Sequence, residues 1–384
     1  MNILVAMDSL KGSLSSSEAN EMIKKGLQQA NPQFHVKTVP IADGGEGTVD
    51  AFVVGLHGTY VKTEVTGPLG TPTTATYGLI HEGKTAVIEV AEACGLPLVD
   101  PRHKQAMEAT SYGVGELICH AIDDGCESVY IGLGGSATTD AGVGMLQALG
   151  FQFLDANGNA IGLGGKHLTS IQTMNTTNVH KALQHVTFHI LCDVQNPLYG
   201  PNGAAYIFSP QKGASPEEVQ SLDKGLQHFS SLVHTEMGVD LQRYAGGGAA
   251  GGLGAACLGF LQGEFVSGVS FLLEQLKMEA KLRDVQVVIT GEGRLDAQSA
   301  MGKAPTGIAK LAKQQGIAVI ALAGDVSLSD SHIHEFGIDA FFSIVQGPIS
   351  LQQAIQPEQA STNLLKTAEQ VGRLLCISDS FMSK

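Results

Sequence analysis

The sequence predicts an α/β protein of two α/β domains. One is a doubly wound, flavodoxin- or Rossmann-like parallel sheet assembled from both chain ends, over residues 1–61 and 283–384. The other, residues 62–282, is an inserted mixed α/β domain with glycine-rich loops. Three observations predict this. The N-terminal stretch alternates buried apolar runs with helical periodicity. The C-terminal stretch repeats that grammar. The middle departs from it, with short alternating runs punctuated by Thr, Pro and Gly.

Each element has its reason. NILVAMDS (Asn2 to Ser9) is a short apolar run and reads as a buried strand. Ser15 and Glu18 have the spacing of a capping box and open a helix to about Ala30. His35 to Gly45 reads as a second strand ending in a glycine turn, and Thr48 to Leu56 as a helix. At the other end, Asp284 to Gly293 is a strand and turn, and Ala304 to Gly316 a helix stopped by glycine. Ile317 to Asp325 and Asp339 to Val345 are strands, and a last helix covers about Ser361 to Ile377. In the middle, residues 60–80 read as antiparallel strands and Thr85 to Ala93 as a buried strand. Phe151 to Ile161 reads as a hairpin around Asn157-Gly158. Residues 110–150 form a helix, a strand, a glycine loop and a helix.

Composition narrows the function classes. With 23 Lys+Arg against 37 Asp+Glu, the net charge is −14, which argues against a nucleic-acid partner. An anionic small substrate stays compatible if a few cations gather in one cleft. The six cysteines show no Cys-x-x-Cys or zinc spacing and read as reduced thiols. The start lacks the pattern of a signal peptide, and no apolar run approaches the ~18 residues of a membrane span. The expectation is a cytoplasmic enzyme with no membrane partner.

Five stretches carry chemistry. GLGGSATTDAG (Gly132 to Gly142) sits between a strand and a helix. Its glycines admit close approach of backbone N–H groups to an anion, and the following helix offers its positive end. Ser136, Thr138 and Thr139 add hydroxyls, and Asp140 is positioned to hold Mg²⁺ directly or through water. A tight turn whose glycines serve packing explains the same pattern. No Walker A lysine follows. VVITGEGRLDAQSAMGKAP (Val287 to Pro305) ends a strand in Glu292, Arg294 and Asp296, with Gly302-Lys303 beyond. Strand C-termini are where open α/β sheets bind ligands, and this mixture of charges suits a metal with phosphates. A surface salt-bridge cluster is the alternative. DSLKGSLS (Asp8 to Ser15) and IADGGEGT (Ile41 to Thr48) each place an acid at a strand end. Cys192 to Ser215 carries Asp193, Asn196 and Lys212, and GGGAAGGLGAA (Gly246 to Ala256) precedes a small-residue helix. Lys11, Lys212, Arg294 and Lys303 thus lie in glycine-rich motifs of an acidic chain, which suits a small anion and a nucleoside triphosphate.

With these six motifs in order from residue 8 to 305, the sequence resembles the bacterial glycerate kinases. The matching stretches are DSLKGSLSS, PIADGGEGT, GLGGSATTDAG, CDVQNPLYGPNGA with FSPQKGA, GGGAAGGLGAA and ITGEGRLDAQSAMGKAP. Leu10 stands where an aromatic residue is expected, and Ala141 where glycine is. The resemblance implies phosphorylation of D-glycerate by ATP with Mg²⁺, a fold with one domain inserted in the other, and a place in glyoxylate, glucarate or galactarate breakdown. The residue roles are read from the motifs themselves and not from the family: Gly134, Gly135, Ser136 and Thr138 bind the nucleotide phosphates. Asp8, Ser9, Asp43, Glu46 and Lys212 bind substrate, and Asp193 and Glu292 hold the metal. Asp296 is the base, with Lys11, Arg294 and Lys303 neutralising the carboxylate and the transferring phosphoryl group. The rivals are another kinase with a glycine-serine loop of the mevalonate and homoserine kinase kind, a nucleotide-binding oxidoreductase, and a nucleotide sensor without turnover.

Overall fold

The structure is a computed structural model that describes residues 1–102, 105–296, 303–327 and 331–382. From the N-terminus come β1 (Asn2–Met7), α1 (Ser16–Ala30), β2 (His35–Thr38) and α2 (Thr48–Leu56). Next are β3 (Thr59–Thr66), β4 (Pro72–Ile80), β5 (Thr85–Glu89), α3 (Val90–Cys94) and α4 (Tyr112–Asp123). They are followed by β6 (Ser128–Gly132), α5 (Val143–Ala148), β7 (Gln152–Leu154), β8 (Thr173–Asn175) and β9 (Thr187–Leu191). Then come α6 (Ala204–Phe208), α7 (Pro216–Met237), α8 (Leu253–Phe260) and β10 (Glu264–Val266). Last are α9 (Gly268–Gln275), α10 (Met278–Lys281), β11 (Val287–Leu295), α11 (Ala304–Gln314), β12 (Ala318–Val326), β13 (Ala340–Ser343), α12 (Leu351–Ala354) and α13 (Pro357–Met382).

The chain forms two compact units. Met1–His57 with Val269–Lys384 makes the first and Gly58–Gly268 the second. The first unit holds one five-stranded sheet in the order β2-β1-β11-β12-β13. Every pairing in it is parallel. Ile3 pairs with Val287 and Met7 with Gly291, so the chain ends share this sheet. Counting only the strands of this unit, the order is 2-1-3-4-5, the flavodoxin-like doubly wound arrangement. Alternate residues Ile3, Val5 and Met7 join Ile23 and Leu27 of α1 and Leu364 and Ala368 of α13 in one core. The Ser15–Glu18 capping box starts α1.

The second unit holds a six-stranded mixed sheet, β10-β9-β6-β5-β4-β3. β5, β6, β9 and β10 run parallel, and the β3–β4 and β4–β5 pairs are antiparallel. Two expectations change here. The apolar run from Thr85 is a strand only to Glu89. Val90–Cys94 turns into helix α3, because Ala91, Glu92 and Ala93 favour helix and Gly95 follows as a stop. The turn at Asn157-Gly158 forms, with Gly158 at φ +80°, but the returning arm makes only a bridge from Leu154 to Ala160. The ladder partner of β7 is β8, not the arm of its own turn.

Candidate active site

In the first unit the chain leaves β1 toward β2 and leaves β11 toward β12, on opposite sides. Loops diverge above such a switch point and leave a crevice. A cavity of about 330 Å³ lies there. Its polar floor is Asp8, Ser9, Lys11, Glu292, Arg294, Asp296, Lys303 and Asp325. The backbone sets this floor. The N–H of Asp8, the first residue past β1, donates to the Gly291 carbonyl at 2.9 Å. Glu292 and Arg294 belong to the last turns of β11 itself.

The charges are paired but not balanced. Lys11 Nζ lies 3.3 Å from Asp43 Oδ2, and Lys303 Nζ 3.5 Å from Glu292 Oε2. Arg294 Nε lies 3.2 Å from Asp325 Oδ2 and 3.8 Å from Asp296 Oδ2. Asp8 is buried and accepts the Ser9 N–H at 2.7 Å. Burial, and then the neighbouring Asp43 charge, push its carboxyl up to about 8, with Lys11 opposing. Burial alone would lower Lys11, but Asp43, Asp8 and Glu292 outweigh it and raise the ammonium above its ordinary range. The buried Ser9 Oγ has no hydrogen-bond partner among the described residues. Nine of the expected residues therefore belong to this unit. Seven line the cavity, Asp43 is ion-paired to Lys11, and Glu46 is exposed on the turn before α2. Gly302 lies outside the described residues.

Asp325 is the residue that sequence reasoning missed. It ends the β12 run IALAGD as Asp8 ends that of β1, and it is the register neighbour of Arg294. A lone strand-end acid was the available signal.

The glycine loop of the second unit follows β6 and is packed differently from expectation. The amides at the start of α5 are already occupied. Gly142 and Gly144 donate to Asp140 at 3.1 and 3.3 Å, and Met145 donates to Ser111 Oγ at 2.9 Å. Asp140 also accepts the Ser111 N–H and Oγ–H at 2.8 and 2.9 Å and is fully buried. The expected roles of Asp140 as a metal ligand and of the α5 N-terminus as a phosphate seat are therefore corrected. The acid caps that terminus and ties it to Ser111.

Thr138 is fully buried too. Lys212 is buried behind the loop, with Nζ donating to Ser136 Oγ at 3.1 Å and to the Thr138 carbonyl at 2.5 Å. It holds the loop rather than facing solvent. What stays open is the outer edge, where Gly135 is exposed at φ +76° and Gly134 is half-buried. The left-handed backbone at Gly135 makes any side chain there costly before a ligand is considered. Asp193 is exposed on the loop after β9.

GGGAAGGLGAA explains much of the remaining glycine. The Ala141 N–H donates to the Gly251 carbonyl at 3.0 Å. A Cβ on Gly251, at φ +68°, would sit 2.0 Å from the Thr138 carbonyl oxygen. Gly251→Ala should thus cost about 3 kcal/mol or more in stability, measured by urea unfolding. A loss under about 1 kcal/mol, the cost of the positive φ alone, would show that the two loops have room to part.

The comparisons with known proteins agree with one another. The profile of the glycerate kinase family matches residues 3–376. The chain belongs to that family. A glycerate kinase of Bacillus subtilis is 42% identical over 97% of both chains. A glycerate 2-kinase of Escherichia coli is 42% identical over 98% of both. A crystal structure from Salmonella typhimurium LT2, assigned to glycerate kinase 2, superposes with a TM-score of 0.86 at 42% identity, covering 99% of each chain. The chain is thus an enzyme of the glycerate kinase family.

Among the described residues no group of three or more His, Cys, Asp or Glu is gathered as a metal cage. Mg²⁺ does not need one, since it takes one or two carboxylates and completes its shell with water and phosphate. The floor offers hard oxygen donors, and the Asp43 and Glu292 charges, which add to burial in raising the Asp8 carboxyl, are ones a divalent ion there would oppose. The residues fit. A wider, open depression of about 670 Å³ beside α1 and α13 is lined by Glu18, Glu21 and Glu358 with no cation, which disfavours an anionic substrate. No described helix is long and apolar enough to cross a membrane.

Lys212 yields a pH prediction. Burial pulls its ammonium down from 10.5 to about 8, against the opposing pull of Cys94 and Asp140. The unfolded chain then binds the extra proton between those values, so this site's contribution to stability rises with pH across that window, by at most about 3 kcal/mol. Urea unfolding of the wild type at about pH 7.5 and 10 should show the rise relative to Lys212→Met. Parallel curves for the two proteins would mean that Lys212 is not held as buried as it is here.

Proposed function

We propose that this enzyme transfers the γ-phosphoryl group of ATP to the 2-hydroxyl of D-glycerate, with Mg²⁺, giving 2-phosphoglycerate. We place it in the cytoplasm, in the breakdown of glyoxylate, glucarate or galactarate, as the family resemblance implies. The observation that carries the reading is the cavity at the switch point, where Lys11, Arg294 and Lys303 meet Asp8, Glu292 and Asp296. Phosphoryl transfer asks a protein chiefly for positioning and charge compensation, and this floor supplies both.

In the proposed reaction Asp296 accepts the hydroxyl proton as the glycerate oxygen attacks the γ-phosphorus. The bond from phosphorus to the ADP oxygen breaks, and ADP leaves with its electron pair. Lys11 and Lys303 offset the charge on the phosphoryl oxygens, and Arg294 receives the substrate carboxylate. Glu292, with Asp8 beside it, would hold Mg²⁺, which would supply charge withdrawal from the transferring phosphoryl group. Ser9, Asp43 and Glu46 border the same loops as substrate contacts. Within the second unit, taken by itself, the open Gly134–Gly135 edge is a candidate anion contact and Asp193 a candidate cation ligand.

Coupling the reaction to enolase tests this directly. Purified protein with ATP, Mg²⁺ and D-glycerate should yield phosphoenolpyruvate without added phosphoglycerate mutase. Dependence on the mutase would reassign the product to 3-phosphoglycerate. Absence of glycerate-dependent ADP, or reduction of NAD⁺ instead, would overturn the kinase reading.

A further inference from the structure

The floor described above is only part of its cavity. The rest of the wall is aliphatic: Leu10 from the loop after β1, Ile344 and Val345 after β13, and Leu351, Ala354 and Ile355 in and beside α12. Two of these are held toward water at the cavity, Leu351 being 75% exposed and Ile355 38%. Single exposed aliphatic residues are ordinary. A set that lines one concavity and runs into a floor of charged and polar groups is the usual make-up of a small-ligand site.

Glycerate has no use for such a wall, since each of its three carbons carries oxygen. Of the two substrates of the proposed reaction, only the nucleotide is amphiphilic in the right way, with a flat apolar base at one end and phosphates at the other. We propose that this aliphatic compartment of the first unit seats the adenine base of ATP, with the triphosphate running toward Lys11 and Lys303. The proposal rests on the kinase reading for its choice of ligand. It assigns nucleotide binding to β13, α12 and the loop after β1, none of which carries a nucleotide fingerprint in sequence.

Two variants test it. Ala354→Phe fills the compartment, and Leu351→Ser removes apolar surface at a position exposed enough to leave folding intact. For both we expect KM for ATP to rise, by about tenfold for Ala354→Phe, while KM for D-glycerate holds. Inorganic tripolyphosphate, which has the charges and no base, should inhibit wild type and variants alike. Unchanged ATP affinity in both variants overturns the proposal. So does a rise confined to KM for glycerate, an equal loss of tripolyphosphate binding, or an altered oligomeric state by light scattering without a nucleotide effect.

If the wild type shows no glycerate-dependent turnover, the kinase reading fails separately. The pocket is then judged by equilibrium binding of a non-hydrolysable ATP analogue. Binding that weakens in both variants upholds it, and a wild type that does not bind the analogue overturns it.

Discussion

Asp296→Asn should lower kcat on D-glycerate by about 10²–10⁴-fold, the usual worth of a positioned general base. Asp296 follows the end of β11, lines the switch-point cavity, and lies 3.8 Å from Arg294 Nε. That contact sets the carboxylate beside the place where the substrate carboxylate is expected. Asparagine keeps the shape and loses the acceptor, so the loss belongs in kcat, with the Mg²⁺ dependence unchanged. Partial return of activity at high Mg²⁺ or with Mn²⁺ would make Asp296 a metal ligand instead. A variant that is less stable but turns over normally once folded would make it only a partner of Arg294, and the base would then be sought first at Asp8.

The second large effect is expected at Lys11. Its side chain is half exposed and its ion pair with Asp43 lies near solvent, so the pair adds little to stability, about 1 kcal/mol at most. Its position on the floor suits charge that develops during transfer. Removal of one such electrostatic group typically costs about 10²–10³ in kcat. Lys11→Met should show that loss at nearly unchanged urea stability, and Lys11→Arg should recover part of it. A stability loss as large as the kinetic one would reduce Lys11 to a structural pair of Asp43.

Much of the first unit was legible in sequence. β1, β11 and β12 are apolar runs closed by an acid, preceded by a glycine in β11 and β12, and parallel strands put such acids at one sheet edge. That grammar found Asp8, Glu292 and Asp296 together. It passed over Asp325, whose motif is too sparse to stand out. The inserted unit was harder to read, because its decisive contacts are long-range. Nothing local says that Asp140 will cap α5 and accept from Ser111, that Gly251 must admit the Thr138 carbonyl, or that Lys212 will be drawn inside. The same glycines serve a phosphate or a second backbone equally well, and here many serve the backbone. Val90 to Ala93 continued an apolar run and so read as strand, although the alanines and Gly95 made Val90–Cys94 a helix.

The most direct test is ³¹P NMR of one mixture of purified protein, ATP, Mg²⁺ and D-glycerate. The account predicts loss of the γ-phosphate signal and growth of a phosphomonoester split into a doublet by the single proton on carbon 2. A triplet would place the phosphate on carbon 3 and correct the acceptor hydroxyl. ATP left intact, or converted to ADP and free phosphate with no ester signal, would contradict the account.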